Sequence, residues 1–328
     1  MKPKDHVSLG ERLDRSLHPV FGVRPTYFAD SLEVYDFLRS TGCRCHYLAA
    51  GDDPASVPEE LRANAVLLFT ERDNPPRFYD DAFGNSRVLM IPLRPFEPSL
   101  RAAMYALERI AQSDFARAAE NSRQLLNFIG AHQNSFRIQG DGCDLLVQLA
   151  DEITVMQPIE DPFLQPREWG AIGQWLEVGL IPNGGNIQRS GYLVKGQFLA
   201  RGTSIARHQT MPEARAHLHR EARELAHDLR EDGQFPLTLS VEDSRIKEIR
   251  TQGGKDIYKE VRRLSGEHTD MVLLELSMSS NASTSSQTID WSINSVMNEG
   301  CAGVHVAVGD GISAAHIDFI ATDARIIP

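Results

Sequence analysis

The last sixth of this 328-residue chain places acids and imidazoles inside apolar segments. Glu299 and His305 belong to the run Glu-Gly-Cys-Ala-Gly-Val-His-Val-Ala-Val-Gly, while His316 and Asp318 belong to Ala-Ala-His-Ile-Asp-Phe. Glu275 lies upstream, in Leu-Leu-Glu-Leu-Ser-Met. A buried charge is rarely tolerated unless it is paired or binds a metal. Carboxylates and imidazoles at strand ends therefore predict a divalent metal site with oxygen and nitrogen ligands.

Two of these residues have a spacing that suits a shared pocket. His316 and Asp318 are two positions apart, so both would face the same side of a strand. Each residue taken alone also has an ordinary structural explanation: a lone Glu pairs with an arginine, and a lone His is hydrogen-bonded in the core. A remnant that keeps the residues but no longer binds metal is a third interpretation.

Composition excludes several classes of protein. With 41% apolar and 24% charged residues, the chain resembles an ordinary globular protein. The net charge of −11 argues against a nucleic-acid partner, because no basic stripe offsets it. The polar N-terminus does not resemble a signal peptide, and no apolar run reaches the roughly 18 residues of a membrane helix. Four cysteines are too few for a disulfide framework. These features predict a cytoplasmic protein without a membrane partner.

The first part of the chain alternates helical and extended patterns. Apolar runs predict three strands, at residues 43–49, 65–69 and 88–93, separated by helical segments. Such alternation favours parallel strands covered by helices. No glycine-rich phosphate loop follows the first strand, so a dinucleotide site is not predicted. A helical pattern then runs from Ser99 to Gly130. We predict a Rossmann-like α/β domain over residues 1–120.

The second part is a mixture of strands and one isolated helix, and we predict a mixed α+β domain over residues 121–328. A hairpin is predicted at 136–149, and further strands at 236–241, 246–250 and 271–276. Residues 212–232 form an amphipathic helix that ends at Gly233. Its histidines are expected on a solvated face, because His217 and His219 point to different sides and no His-Glu-x-x-His pattern exists.

Glu177 is a sixth charged residue that lies in an apolar segment. It stands in Trp-Leu-Glu-Val-Gly-Leu-Ile-Pro. With this segment, the second half of the chain resembles the aminopeptidase T and aminopeptidase S family of metallopeptidases. That family uses a Gly-Glu-Val segment, a strand with a second Glu, a Glu and His before Ile-Ala-Leu-Gly, and a His-x-Asp. The positions that match in order are Glu177, Glu275, Glu299, His305, His316 and Asp318.

The resemblance implies a fold, a chemistry and an assembly. It implies an aminopeptidase T type C-terminal domain in which all six matching residues hold one or two divalent ions, of zinc, cobalt or manganese. Glu275 and Glu299 would be the catalytic residues, as bridging ligand or general base. A homodimer acting on peptides is also implied. The related iron 2,5-dihydroxypyridine dioxygenases place a His where Glu275 stands and lack counterparts of Glu177, Glu299 and His305. Ring cleavage by iron is therefore the poorer fit.

Departures from the family pattern leave two functions open. Only ten residues separate His305 from His316, where the aminopeptidases carry a longer insertion with a Tyr. The helix at 212–232 is additional. The first hypothesis is a metal-dependent peptidase or amide hydrolase, which we favour because every metal-binding position is filled. The second is a catalytically inactive, peptidase-like protein that has lost its metal and binds a peptide without cutting it, for example in precursor recognition for a peptide natural product.

Overall fold

The computed structural model describes residues 7–49, 51–72, 80–132, 135–149, 153–156, 160–182, 191–281, 288–300 and 303–328. Its α-helices are α1 (Leu9–Phe21), α2 (Leu32–Ser40), α3 (Glu59–Arg62), α4 (Asp80–Phe83), α5 (Leu100–Gln112), α6 (Phe115–Ala131), α7 (Ala216–Glu231), α8 (Tyr258–Leu264) and α9 (Val296–Glu299). The strands are β1 (Thr26–Ala29), β2 (Cys45–Tyr47), β3 (Asn64–Phe69), β4 (Arg87–Pro92), β5 (Phe136–Gly140), β6 (Cys143–Leu149), β7 (Ile153–Val155), β8 (Trp169–Ala171), β9 (Glu177–Pro182), β10 (Tyr192–Ala200), β11 (Gly202–Ala206), β12 (Leu237–Glu242), β13 (Arg245–Arg250), β14 (Glu275–Ser279), β15 (Val304–Val308), β16 (His316–Ala321) and β17 (Arg325–Ile327).

The N-terminal region is built on a parallel sheet, sheet A, with strand order β2-β1-β3-β4-β8. The three predicted strands are present within a few residues of their expected bounds. Helices α1, α2 and α5 cover the sheet, and their apolar stripes share one core with its inward side chains. The predicted α/β architecture of this region is confirmed.

The helical pattern after residue 99 is two helices rather than one. Helix α5 ends at Gln112, and Ser113 leaves the helical conformation. The Asp114 side chain then accepts a hydrogen bond of 2.9 Å from the backbone N–H of Arg117 and caps α6. A Ser-Asp pair competes with helical backbone bonding and favours such a cap, which the apolar periodicity alone does not show.

The C-terminal region is a sandwich of two antiparallel sheets. Sheet B has the order β13-β12-β10-β6-β5-β17, and sheet C has the order β11-β16-β15-β14-β9-β7. Val147 and Val194 of sheet B belong to the same core as Leu276, Val306 and Phe319 of sheet C. Burying each such side chain contributes about 1.5–3 kcal/mol. The packed core fixes one face of sheet C and leaves its other face for polar side chains.

One predicted strand is displaced along the chain. Strand β14 runs from Glu275 to Ser279, whereas the apolar pattern predicted residues 271–276. Asp270 and Met271 have positive φ angles of 49° and 56°, so the backbone turns there and cannot yet be extended. The displacement places Glu275 at the first position of the strand.

The amphipathic helix is present as a short 3-10 turn, Glu213–Arg215, followed by α7. Leu218 and Leu229 are buried against the sandwich core, as the stripe predicted. The prediction of a solvated face is wrong for His219, which is only 7% exposed. Burial lowers the pKa of His219 to about 4. This histidine is therefore a neutral group packed beneath the helix.

The division of the chain at residue 120 stays a prediction. Strand β8, which lies well beyond that point, pairs with β4 and completes sheet A. Trp175 and Leu176 also pack into the core of the N-terminal region. Among the described residues, no helix is both long and apolar enough to span a membrane.

Candidate metal centre

One face of sheet C collects polar side chains, and the strand register explains why. Glu275 lies opposite Ala307, Ala307 opposite Asp318, and Asp318 opposite Ser204, so these four residues form one row across the sheet. Side chains alternate between faces along a strand. The neighbours on each strand fill the sandwich core, and the row itself faces away from that core. His305 belongs to the next row, opposite Ser277.

Glu275 lies between the two histidines. Its Oε1 is 3.3 Å from Nε2 of His305, and its Oε2 is 3.5 Å from Nε2 of His316. The hydroxyl of Ser277 donates to the same Oε1 at 2.6 Å. Each oxygen of this carboxylate therefore has a different imidazole beside it, so each oxygen is placed to share an ion with its own imidazole.

His305 is surrounded by acids. Its Nδ1 lies 3.5 Å from Oε2 of Glu177, while its Nε2 lies 3.7 Å from Oδ1 of Asp318 in addition to the Glu275 contact. Glu177 reaches this position because it is the first residue of β9 and pairs with Ser279 at the end of β14. The imidazole of His305 is only 2% exposed. Its two nitrogens offer one ligand atom and one donor that a neighbouring carboxylate can orient.

His316 is oriented by the turn before its strand. Its Nδ1 is 2.8 Å from the carbonyl oxygen of Gly309. A carbonyl can only accept, so Nδ1 carries the proton and Nε2 is free of one in the neutral ring. That Nε2 faces Oδ1 of Asp318 at 3.3 Å. The residues on β16 thus present a nitrogen and an oxygen to the same point, as their spacing predicted.

Glu299 approaches from α9 rather than from the sheet. Its Oε1 accepts a hydrogen bond of 3.1 Å from the hydroxyl of Ser204. Two groups of three side chains have ligand atoms that all lie within 4.8 Å of one another. The first group is Glu177, Glu275 and His305, and the second is Glu275, His316 and Asp318. Glu299 belongs to neither group. Glu275 is common to both groups. The six predicted residues are thus gathered on one face of sheet C, and their metal binding stays a prediction.

Two serines that were not predicted from the sequence, Ser277 and Ser204, donate hydrogen bonds to these carboxylates. Ser277 could have been found, because it lies two residues after Glu275 and shares its face of β14. Ser204 had no such signal, since β11 joins the site only through its pairing with β16.

The buried acids and imidazoles shift one another's proton affinity. Burial raises the pKa of Glu177 to about 8, although the charge of His305 opposes this. Burial and the charges of Asp318 and Glu177 raise the pKa of Glu299 well above its usual range. For Glu275 burial acts in the same direction, but hydrogen bonds from both histidines outweigh it and hold its pKa below the usual range.

Both imidazoles hold their protons more tightly than usual. Burial alone would lower the pKa of His305, but the charge of Glu177 and the hydrogen bond to Glu275 raise it to about 9. The charge of Asp318 likewise overcomes burial and raises the pKa of His316 well above its usual range. Without a cation, the acids of this cluster are therefore balanced by protons and imidazolium groups.

The donor set fits divalent ions. Oε2 of Glu177 and Oδ2 of Asp318 are buried and accept no hydrogen bond within the described part of the chain, although Nδ1 of His305 lies 3.5 Å from the Glu177 oxygen. A buried carboxylate oxygen without a donor costs free energy unless a cation faces it. Carboxylates with imidazoles suit zinc, cobalt or manganese. No ion pair in the described ranges joins any of the six residues to an arginine, so the arginine-paired alternative is not supported there.

Two solved structures are similar to this chain along most of its length. Wild-type AmpT from Thermus thermophilus is similar in structure, with a TM-score of 0.50 and 14% sequence identity over 97% of this chain and 94% of that one. A 2,5-dihydroxypyridine dioxygenase from Pseudomonas putida KT2440 has a TM-score of 0.49 and 11% identity, over 97% and 93% of the two chains. No curated protein matches the chain.

The likeness to AmpT shows that the two regions together have the aminopeptidase T type fold, as the resemblance implied. The family model of the crocagin biosynthetic protein CgnE/B matches residues 23–328, and the chain belongs to this family.

Proposed function

We propose that this protein acts on a peptide in the biosynthesis of a crocagin-type product, as a metal-dependent peptidase or amide hydrolase. The observation that carries the proposal is the position of Glu275, whose two oxygens each lie beside a different histidine within two overlapping groups of ligand atoms. The family supports a biosynthetic role, and the fold of AmpT supports a peptide as the ligand.

The residues divide between two positions. Glu177 and His305 would hold one ion, His316 and Asp318 the other, and Glu275 would bridge them. Bound divalent ions in such a site polarise a carbonyl and lower the pKa of a water molecule. Ser277 keeps the bridging carboxylate in place through its 2.6 Å hydrogen bond. The Gly309 carbonyl fixes the ring of His316 in the tautomer that offers Nε2.

Glu299 is suited to moving a proton. It belongs to neither group of ligand atoms, and the hydroxyl of Ser204 orients its Oε1. Its raised pKa means that the carboxyl group holds a proton where an ordinary Glu would be ionised. In its ionised form this carboxylate would take a proton from an attacking water, and the resulting carboxylic acid, which the raised pKa favours, would deliver that proton to the leaving amine. We assign the general acid–base role to Glu299 and the bridging role to Glu275.

Hydrolysis assays test the proposal directly. Metal-depleted protein is supplied separately with zinc, cobalt and manganese, and is assayed with aminoacyl anilides and dipeptides. We expect cleavage that depends on added metal and is lost in Glu275→Gln. Glu242→Gln, an exposed acid on β12, is the matched control and should keep full activity. Failure of every metal-loaded sample to cleave any substrate would count against the enzyme.

One observation favours a second candidate function, namely a protein that binds a peptide without cleaving it. The connection from β15 to β16 is a short turn in which Asp310 accepts backbone hydrogen bonds from Ile312 and Ser313. It contains no Tyr, the side chain that the aminopeptidase resemblance would supply there for catalysis. Calorimetry separates the candidates: tight peptide binding by metal-free protein, without cleavage after metal loading, would favour the binding protein.

Assembly and location are also proposed. A homodimer, as the resemblance implies, predicts twice the mass of the chain in sedimentation experiments. A cytoplasmic location predicts that Cys43 and Cys45 stay reduced, consistent with their free thiols in the structure.

A further inference from the structure

A cavity of about 320 Å³ opens beside the edge of sheet C. The cavity is lined by Thr203 and Ile205 of β11, by side chains of the additional helix α7 on one side, and by Trp291, Ser292 and Asn294 on another. Neither the aminopeptidase resemblance nor the metal centre accounts for this cavity. It is lined by three arginines, two glutamates and a tryptophan, so its charges decide what it can hold.

Two of the arginines are already paired. Arg223 lies 3.6 Å from Oε2 of Glu97, and Arg220 lies 3.9 Å from Oε1 of Glu224. Glu97 also accepts hydrogen bonds from the hydroxyl of Ser99 and from a backbone N–H. These pairs contribute no net charge to the cavity.

Arg230 is different. Its guanidinium lies over the ring of Phe235 at 4.1 Å and over the ring of Trp291 at 5.5 Å. Its Nη2 donates to the carbonyl of Arg201 at 3.2 Å. Within the described ranges no carboxylate pairs with this side chain, which leaves donors for a ligand. Guanidinium groups stay charged at neutral pH and bind carboxylates through paired N–H donors, and flanking rings hold the fork in place.

The other wall of the cavity is held rigidly. Trp291 packs on Gly202, where a Cβ atom would lie 2.3 Å from the indole ring, so only glycine permits this contact. The side-chain amide of Asn294 accepts from the N–H of Ile205 at 2.8 Å and donates to its C=O at 2.7 Å. That part of the strand edge is therefore occupied, and recognition at this place must use side chains rather than strand addition.

We propose that this cavity binds a carboxylate of the peptide ligand, with Arg230 as its counter-ion and Trp291 as its apolar wall. The inference rests on the proposed function in one respect, namely that the ligand is a peptide. Ser204 lies between Thr203 and Ile205 and donates to Glu299, and β11 is about 5 Å from β16. Thr203 and Ile205 face the side of β11 opposite to Ser204, so a carboxylate in the cavity would anchor an acidic peptide at the edge of sheet C, on the face opposite to the metal centre.

Binding of matched peptides tests this inference without relying on catalysis. The probes are N-acetyl-Ala-Ala-Glu-Ala-Ala-amide, its Gln counterpart, and the Gln peptide with a free C-terminal carboxylate, each titrated into metal-depleted protein by calorimetry. We expect at least one of the two carboxylate peptides to bind about ten-fold or more tightly than the neutral peptide. Comparing the two identifies whether a side-chain or a terminal carboxylate is preferred.

The variants locate the effect. Arg230→Gln should abolish the preference, whereas Arg250→Gln, at an exposed arginine of β13 outside the cavity lining, should keep it. Equal binding of all three peptides by the wild type, absence of binding at millimolar concentration, or an unchanged preference in Arg230→Gln would overturn the inference. Those results would leave metal content and the hydrolysis of neutral dipeptides unaffected, so they are distinguishable from failure of the proposed function.

Discussion

Metal binding at the cluster should be strongly pH-dependent, because the metal must displace protons. An imidazole binds a metal only when the ligating nitrogen is unprotonated. The pKa of His305 is raised to about 9 and that of Glu177 to about 8, so both groups hold protons over much of the range between pH 6 and pH 8. Below the pKa, each displaced proton weakens the apparent affinity about ten-fold per pH unit. The apparent affinity for the metal should therefore fall as the pH falls, by about 100-fold for each displaced proton between pH 8 and pH 6.

Calorimetric titration of metal-depleted protein with zinc chloride measures both consequences. Titrations at pH 6, 7 and 8 give the affinities, and two buffers of different ionisation enthalpy at pH 7 give the number of protons released. We expect at least one proton per bound ion and a decline of about 100-fold or more. The Glu242→Gln control should behave as the wild type. An affinity that is constant from pH 6 to pH 8, or binding without proton release, would show that the metal does not displace protons from these groups.

Three further predictions concern the support of the site and the core. Ser277→Ala removes the donor to Glu275, and competition with a chromophoric chelator should show zinc affinity about 10–100-fold weaker; an unchanged affinity would contradict this. Gly179→Ala would place a Cβ atom 1.8 Å from Cε of Met156, the flexible end of that side chain, and 2.7 Å from Oγ of Ser277. It should weaken zinc binding in the same assay, whereas Gly173→Ala, with open space around its Cβ, should not. Leu276→Ala should lower the free energy of unfolding of metal-depleted protein by about 2–5 kcal/mol in urea titrations, and unchanged stability would contradict its place in the core.

Local patterns were sufficient for the strands and for part of the site. Apolar runs predicted β3 and β4 closely, because a parallel strand buried on both sides is apolar throughout. The two-residue spacing of His316 and Asp318 predicted their common face, because strand geometry alone determines it.

The rest of the site depends on pairing between distant segments. Glu177 meets His305 only because β9 pairs with β14 and β14 with β15, and no local rule gives that register. Glu177 was predicted only because its segment matches a motif of the aminopeptidase family. Arg230 was overlooked for a similar reason: Phe235 follows it closely in the chain, but Trp291 reaches it from a distant segment. The burial of His219 likewise follows from how α7 packs, which its own sequence does not determine.

Elemental analysis of the purified protein shows whether the six residues bind metal. Wild-type protein and Glu275→Gln are incubated with zinc, dialysed, and analysed by inductively coupled plasma mass spectrometry against protein concentration. We expect one or two ions per wild-type chain and loss of zinc from the variant, because Glu275 belongs to both groups of ligand atoms. Wild-type protein without zinc above the level of the dialysis buffer, or a variant that retains the same zinc content, would contradict this expectation.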